Sequence, residues 1–482
     1  MAFSFNPGGG SIQLFVTTTE SSPVTFIVNA TGFNFSGVAT PNSSTNVALP
    51  RSLQVDSGSD RNKGIHVKAE GNKRITVYGL NYGLHTSDAF LALPCNRLPI
   101  DEYEYYAVTY QPLVPHPSTI LIVACEDNTE VSTGPSSSVT LNRLETYMMS
   151  SILNDLTGRR ITATKPIAFF SNHECANVPV GIGYCDHLTE QIPPTSTWGH
   201  LFLAASLLGR RSGELFRIIT SQPPATVTIN CTTFLQPISY SLTATVNWQE
   251  FEITPNSFCS ITSTSPILVA QFSLGTLRDD IVGNVGDPFL MMLPPVEQFS
   301  NYYVFNVLPT FAFNYITVYV APEYFQTDRI FVDNTSLDNF PWSQIYCSGN
   351  TICGYITRVN VTTAGVHQLH HLDQTARVGI SAYGFGVFNS YGYPGGLKLT
   401  PVQCKNLYTV ASSQLRMLLV NVDVYTPVAT VSFSSTIYKY AEGTGGAQVT
   451  VTRSGNTEAI AIVLVASDNF QGTAAGNRQL SL

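Results

Sequence analysis

The chain has 482 residues, of which only 12% are charged and 44% hydrophobic, with a formal net charge of −8. That length suits three or four domains, and the acid excess without any basic run argues against nucleic acid and anionic membrane as partners. No apolar stretch approaches the roughly eighteen residues that a membrane-spanning helix needs.

Helical periodicity is poor throughout, while strand signals are dense. Short apolar runs rich in Val, Ile, Thr, Phe and Tyr fall at residues 12–16, 118–123, 215–219 and 315–320, each soon followed by a second run at 24–28, 130–131, 225–229 and 329–332. Gly, Pro and Asn turns separate them, which reads as sandwich or barrel architecture. The runs also recur in phase. Residues 161–167 return at 261–267, identical at five of seven positions, and Cys185-Asp186-His187 before Ile192-Pro193-Pro194 returns as Gly286-Asp287-Pro288 before Leu293-Pro294-Pro295. Weaker copies place Ile75 and Ile380 in line with Ile167 and Ile267, at steps of 92, 100 and 113 residues.

A copied unit of this size predicts an all-β fold of four tandem sandwich-like units, approximately 1–94, 95–194, 195–295 and 296–402. A closed ring of large propeller-like blades is the alternative. Residues 403–430 carry no repeat and read as a linker, and a new β-pattern over 431–482 reads as a partial sandwich. The chain starts with no apolar leader pattern and reads as an ectodomain fragment of a larger protein.

Nine cysteines suit an oxidising compartment. The close pairs Cys175–Cys185 and Cys347–Cys353 are expected as disulfides. Cys231–Cys259 joins them because both flank strands on inward-facing positions, and Cys95–Cys125 leaves Cys404 as the odd thiol. Six sequons fall at Asn29, Asn34, Asn42, Asn230, Asn334 and Asn360 and are the expected glycosylation sites. Their number is about what this composition gives by chance, but alternation sets Asn230 outward and Cys231 inward.

His173-Glu174-Cys175 with Cys185-Asp186-His187 offers two thiolates and two imidazoles, a possible four-coordinate zinc set. The competing reading is a disulfide closing a loop at a sheet end. The spacing is not that of a zinc finger, and the third unit has Gly286 in place of Cys185 and no histidine. His367-Gln368-Leu369-His370-His371 reads as solvated strand histidines, because His367 and His371 on one strand face lie roughly 13 Å apart. Asp101, Glu102 and Glu104 among Tyr103, Tyr105 and Tyr106 read as an edge strand rather than an acid/base pair. The run from Tyr383 to Gly396 reads either as an aromatic binding loop or as a Gly-punctuated strand and turn. No nucleophile elbow, phosphate loop or His-Glu-x-x-His motif is present.

Several ordered motifs over residues 1–402 resemble the N-terminal module of the IgG Fc-binding protein family. They are Ser87-Asp88-Ala89-Phe90, Glu126-Asp127-Asn128-Thr129, Leu156-Thr157-Gly158, Glu190-Gln191-Ile192-Pro193-Pro194, Ser196-Thr197-Trp198-Gly199, Gly286-Asp287-Pro288-Phe289 and the Tyr383–Gly396 run. The resemblance implies a secreted or cell-surface, mucus-associated protein. Residues 431–482 resemble the first half of a Calx-β domain through Val431-Ser432-Phe433, Tyr440-Ala441-Glu442-Gly443, 449–455 and Ser467-Asp468. That resemblance implies calcium ligands at Glu442 and Asp468, in a site half a domain leaves incomplete. The functional expectation is therefore a non-catalytic extracellular adhesion, matrix or mucus-type recognition module without a cofactor of its own. A specific receptor for immunoglobulin Fc or a glycan is the runner-up, and the partners in either case are extracellular proteins or glycans.

Overall fold

A computed structural model describes residues 1–95, 103–134, 137–279, 283–347 and 349–402, together with the strands Thr430–Phe433 and Val451–Ser454. Cys404, Glu442 and Asp468 lie outside the described residues, as do most of the linker and of the C-terminal pattern. The chain divides into Met1–Lys405 and Asn406–Leu482. In the second unit Thr430–Phe433 pairs antiparallel with Val451–Ser454.

Among the described residues the first unit is almost wholly β, with one four-residue α-helix at Thr276–Asp279. One strand order recurs four times in it. The order is Thr45–Leu49, Ser11–Thr17, Thr76–Gly83 and Thr86–Leu91 in the first instance, and Thr146–Ser151, Ser118–Ala124, Ile167–Ala176 and Asp186–Ile192 in the second. Trp248–Ile253, Glu214–Thr220, Phe258–Ser273 and Leu290–Met292 form the third, and Ile352–Asn360, Phe313–Val320, Val378–Gly386 and Asn389–Pro394 the fourth. A second layer accompanies each of these sheets, giving a sandwich-like arrangement. The sixteen-residue strand Phe258–Ser273 serves both layers of its unit.

Alternation explains the second-layer strands: Val24, Phe26 and Val28 face inward while Thr25, Ile27 and Asn29 are half-buried. The third strand of each first layer behaves differently. Ile167–Ala176 is buried at nine of ten positions, because one face meets its own second layer and the other a neighbouring unit. The cores are accordingly shared. Phe26 and Phe170 belong to one cluster, and Tyr78 and Tyr393 to another, with ring centroids 4.5 Å apart.

The four units close on themselves. Thr86–Leu91 contacts Asp186–Ile192, which contacts Leu290–Met292; that strand contacts Asn389–Pro394, which returns to Thr86–Leu91. The last strand of every unit therefore lines one common axis. Among the described residues four disulfides are formed, Cys95–Cys125, Cys175–Cys185, Cys231–Cys259 and Cys347–Cys353, and the third joins directly opposed residues of adjacent strands. Among the described residues no helix is long and apolar enough to cross a membrane.

Candidate recognition surface

Four residues occupy matching places where the axial strands begin: Asp88, Asp186, Asp287 and Asn389, each followed two residues later by Phe, Leu, Phe or Tyr. All are buried. The Asp88 carboxylate accepts the N–H of its neighbour Ala89 at 2.8 Å, and those of Thr189 and Leu290 at 3.0 Å, so one side chain ties three units together. Asp186 accepts the N–H groups of Ser87 and His187, both at 2.7 Å. Asn389 donates to the Gly83 carbonyl at 3.2 Å, and the Ser390 hydroxyl donates to the Asp287 carbonyl at 2.7 Å. Glu190 adds an acceptor for the Met292 N–H at 3.1 Å. These bonds stand where a continuous sheet would have a ladder, and they satisfy the strand edges that face the axis.

Burial drives the carboxyl groups toward their neutral form. Asp88, Asp186 and Glu190 are pushed well above the ordinary carboxylate range by desolvation, opposed in each case by the N–H groups they accept. Asp287 is pushed up to about 7 by burial against the pull of Arg210. Glu214 nearby is pushed up to about 8, again chiefly by burial. Arg210 itself forms a buried ion pair with Asp279 at 2.5 Å.

The turns that lead into these strands meet at one end of the axis. His85, Tyr184 and Phe388 hold left-handed backbone, with φ of 62°, 62° and 49°, which is uncommon for large side chains. The Phe388 ring packs on Tyr184 at 4.7 Å and edge-on to His85 at 5.7 Å between centroids. The Phe388 N–H donates to the Asn284 carbonyl at 2.8 Å, and the Gly275 N–H to the Val178 carbonyl at 2.6 Å, so all four turns are joined. Cys175–Cys185 pins the second turn at its base. Leu84, Val180, Tyr184, Leu277 and Val387 stand more than half exposed on these turns. A group of exposed apolar side chains on joined turns is a candidate contact surface.

The structure also places the other sequence candidates. Cys175 and Cys185 are bonded to each other, and the two histidines beside them are engaged elsewhere. His187 accepts from the Asn81 amide at 2.9 Å, and His173 bonds the Gln111 carbonyl at 3.1 Å. Burial pushes these imidazoles down to about 3 and about 4. His367 and His371 are buried rather than solvated. His367 is held by Asp333 at 2.8 Å and His371 by the Tyr324 carbonyl at 3.1 Å, and alternation could not say which face the sheet covers. Glu104 lies on the edge strand Tyr103–Tyr106, paired with Arg160 at 2.5 Å, whereas Asp101 and Glu102 lie outside the described residues.

In the Tyr383–Gly396 run, Tyr383, Phe385, Tyr391 and Tyr393 are core residues, Val387 at the turn is exposed and Phe388 beside it is half-buried. Among the sequon residues, Asn34, Asn42, Asn334 and Asn360 are exposed. Asn29 and Asn230 are half-buried, and the Asn230 amide donates to the Tyr346 carbonyl at 2.9 Å. The Asp/Asn set at the axis and the convergence of the turns were missed by sequence reasoning. The signal was present in the spacings of 98, 101 and 102 residues between Asp88, Asp186, Asp287 and Asn389.

The family described as IgGFc binding protein matches residues 88–384. The human IgGFc-binding protein is 24% identical over 323 residues, a stretch that covers 62% of this chain and 6% of the human protein. The matched interval begins at the first axial aspartate. The turn residues Leu84, His85, Val387 and Phe388 fall just outside it.

Proposed function

This chain belongs to the IgGFc binding protein family, and we propose that it is a non-catalytic adhesion or matrix module, of mucus type, within a larger secreted or cell-surface protein. The observation that carries this reading is the cap of four joined turns, which presents Leu84, Tyr184 and Val387 on a rigid, disulfide-pinned base. Preorganised aromatic and aliphatic side chains bind at small entropic cost. Four disulfides fit an extracellular setting. Exposed Asn34, Asn42, Asn334 and Asn360 are the sequon residues best placed to carry glycans.

A second reading is a receptor of narrow specificity, for immunoglobulin Fc as the human relative's name states, or for one glycan. The clustered rings of His85, Tyr184 and Phe388 favour it, since such clusters serve as binding hot spots. Binding of the chain to an array of extracellular glycoproteins, free glycans and IgG Fc fragment separates the two. Several weak, related hits support the matrix reading, one tight hit supports the receptor, and no binding above background rejects both. On the Calx-β resemblance of the C-terminal segment, we also propose that Glu442 and Asp468 contribute carboxylates to a calcium site.

A further inference from the structure

The first unit carries a polar cleft apart from the turn cap. Phe3–Ser4 pairs parallel with Gln54–Val55, and the Phe5 N–H donates to the Val55 carbonyl at 2.9 Å. The short 3-10 helix Arg51–Leu53 precedes that pair, and a turn closed by the Asp60 N–H on the Ser57 carbonyl at 3.1 Å follows it. Together they enclose about 360 Å³, lined by Phe5, Arg51, Gln54, Asp56, Asp60 and Lys63 among others. A cleft of that volume falls in the range of small-ligand sites.

Its walls carry opposite charge. On one, the Lys63 ammonium donates to the Ser52 carbonyl, which sets it beside Arg51. Arg51 is exposed, and its Nε donates to the Gln54 side-chain oxygen at 3.5 Å. Gln54 is buried, and its amide donates to the Asn81 side-chain oxygen at 3.0 Å, the same Asn81 that holds His187. On the other wall, one Asp60 carboxylate oxygen accepts the N–H groups of Asp56 at 2.9 Å and Ser57 at 3.3 Å. Among the described residues none of Arg51, Lys63, Asp56 and Asp60 forms an ion pair. A bare anion here would face Asp56 and Asp60, and a bare cation would face Arg51 and Lys63. An occupant that suits both walls carries an anionic group at one end and hydrogen-bond donors at the other.

We propose that this cleft binds an acidic sugar residue, with its carboxylate or sulfate on Arg51 and Lys63 and its hydroxyl groups donating to Asp56 and Asp60. The guanidinium supplies the paired donors that such an anion accepts. The C–H face of the sugar ring packs on Phe5, which is half-buried and lines the cleft. No lining residue is shared with the turn cap, so the two sites are tested separately.

Sialyllactose, sulfolactose and lactose, titrated into the whole chain and read by saturation-transfer NMR, test the site. At least one acidic sugar is expected to bind, with lactose at least about tenfold weaker and the difference shrinking as salt is raised. The tighter of the two acidic sugars identifies the anionic group. Arg51→Met and Lys63→Met should each weaken that binding by about tenfold or more with melting unchanged, and Asp56→Ala should weaken it as well. The combined Leu84→Ser, Tyr184→Ser, Val387→Ser variant should leave it intact. Absence of binding by both acidic sugars overturns the proposal, as does equal binding of lactose or of glycine, a bare zwitterion. So does full affinity in folded Arg51→Met. Tighter binding in Asp56→Ala also overturns it, because that marks a simple anion site.

Discussion

Tyr184 and Phe388 lie 204 positions apart in sequence, yet their rings pack at 4.7 Å while both residues hold left-handed backbone. Each belongs to a turn that enters an axial strand, and each strand is fastened by a buried Asp or Asn one or two residues on. The exposed cap is thus set by the buried axis beneath it. Holding two large residues in the left-handed region costs about 1 kcal/mol or more apiece, which only surrounding structure can maintain.

Replacing Phe388 with Gly removes the ring and relieves its backbone at once. The expected outcome is little change in Tm, within the equivalent of about 1 kcal/mol, together with a clear loss of binding to whatever the array retains. Phe388→Ala should lose the same binding and melt lower than Phe388→Gly. Paired thermal melts and binding curves check both.

Asp88 makes a sharper stability test. Asp88→Ala leaves the Thr189 and Leu290 N–H groups without their acceptor, at a cost of about 3 kcal/mol or more. Denaturant unfolding should show the loss, and hydrogen exchange should locate it in Asp186–Ile192 and Leu290–Met292.

The buried acids give stability a direction in pH. A carboxyl whose folded value lies above its unfolded value contributes stability that is fully present below the unfolded value near 4 and is lost as pH rises through the folded value. Asp287 at about 7 and Glu214 at about 8 therefore predict a Tm that falls between about pH 4 and pH 8. His173 and His187, pushed down to about 4 and about 3, act oppositely: their contribution is present above about 6.5 and is lost as pH falls through those values. Asp287→Asn should flatten the loss on the alkaline side and leave the acid limb unchanged. Melts across pH 3 to about 9 read both limbs.

Much of this architecture is legible in the residues, and the failures have physical causes. The echo of 161–167 at 261–267 marks one register, for Ile167 pairs with Ala124 and Ile267 with Thr220, at the same end of equivalent strands. The outer copies drift: Ile75 precedes its strand, and Ile380 pairs with Val318 two residues further in. Closure around the axis leaves no local pattern, because it rests on bonds such as Asp88 to Leu290 across 202 residues. Alternation assigns His367 and His371 to one face without telling which face is covered. The Tyr383–Gly396 run looks like a binding loop because aromatic residues suit both a core and a contact surface; burial alone separates Tyr391 from Phe388.

The Cys175–Cys185 link stands at the base of the Tyr184 turn, so removing it tests whether the cap needs its pin. The double variant Cys175→Ala, Cys185→Ala should lose about 2–3 kcal/mol on the chain-entropy account of a short loop. Binding at the cap should weaken further than stability alone explains when both are measured well below Tm.

The most direct measurement is binding of the triple variant Leu84→Ser, Tyr184→Ser, Val387→Ser to the same array of extracellular glycoproteins, glycans and IgG Fc fragment, beside the unaltered chain. All three side chains are more than half exposed, so folding should survive and unchanged melting confirms it. If the turn cap is the recognition surface, the variant loses every hit that the unaltered chain makes. A folded variant that keeps those hits at undiminished strength contradicts the account and moves recognition to another face.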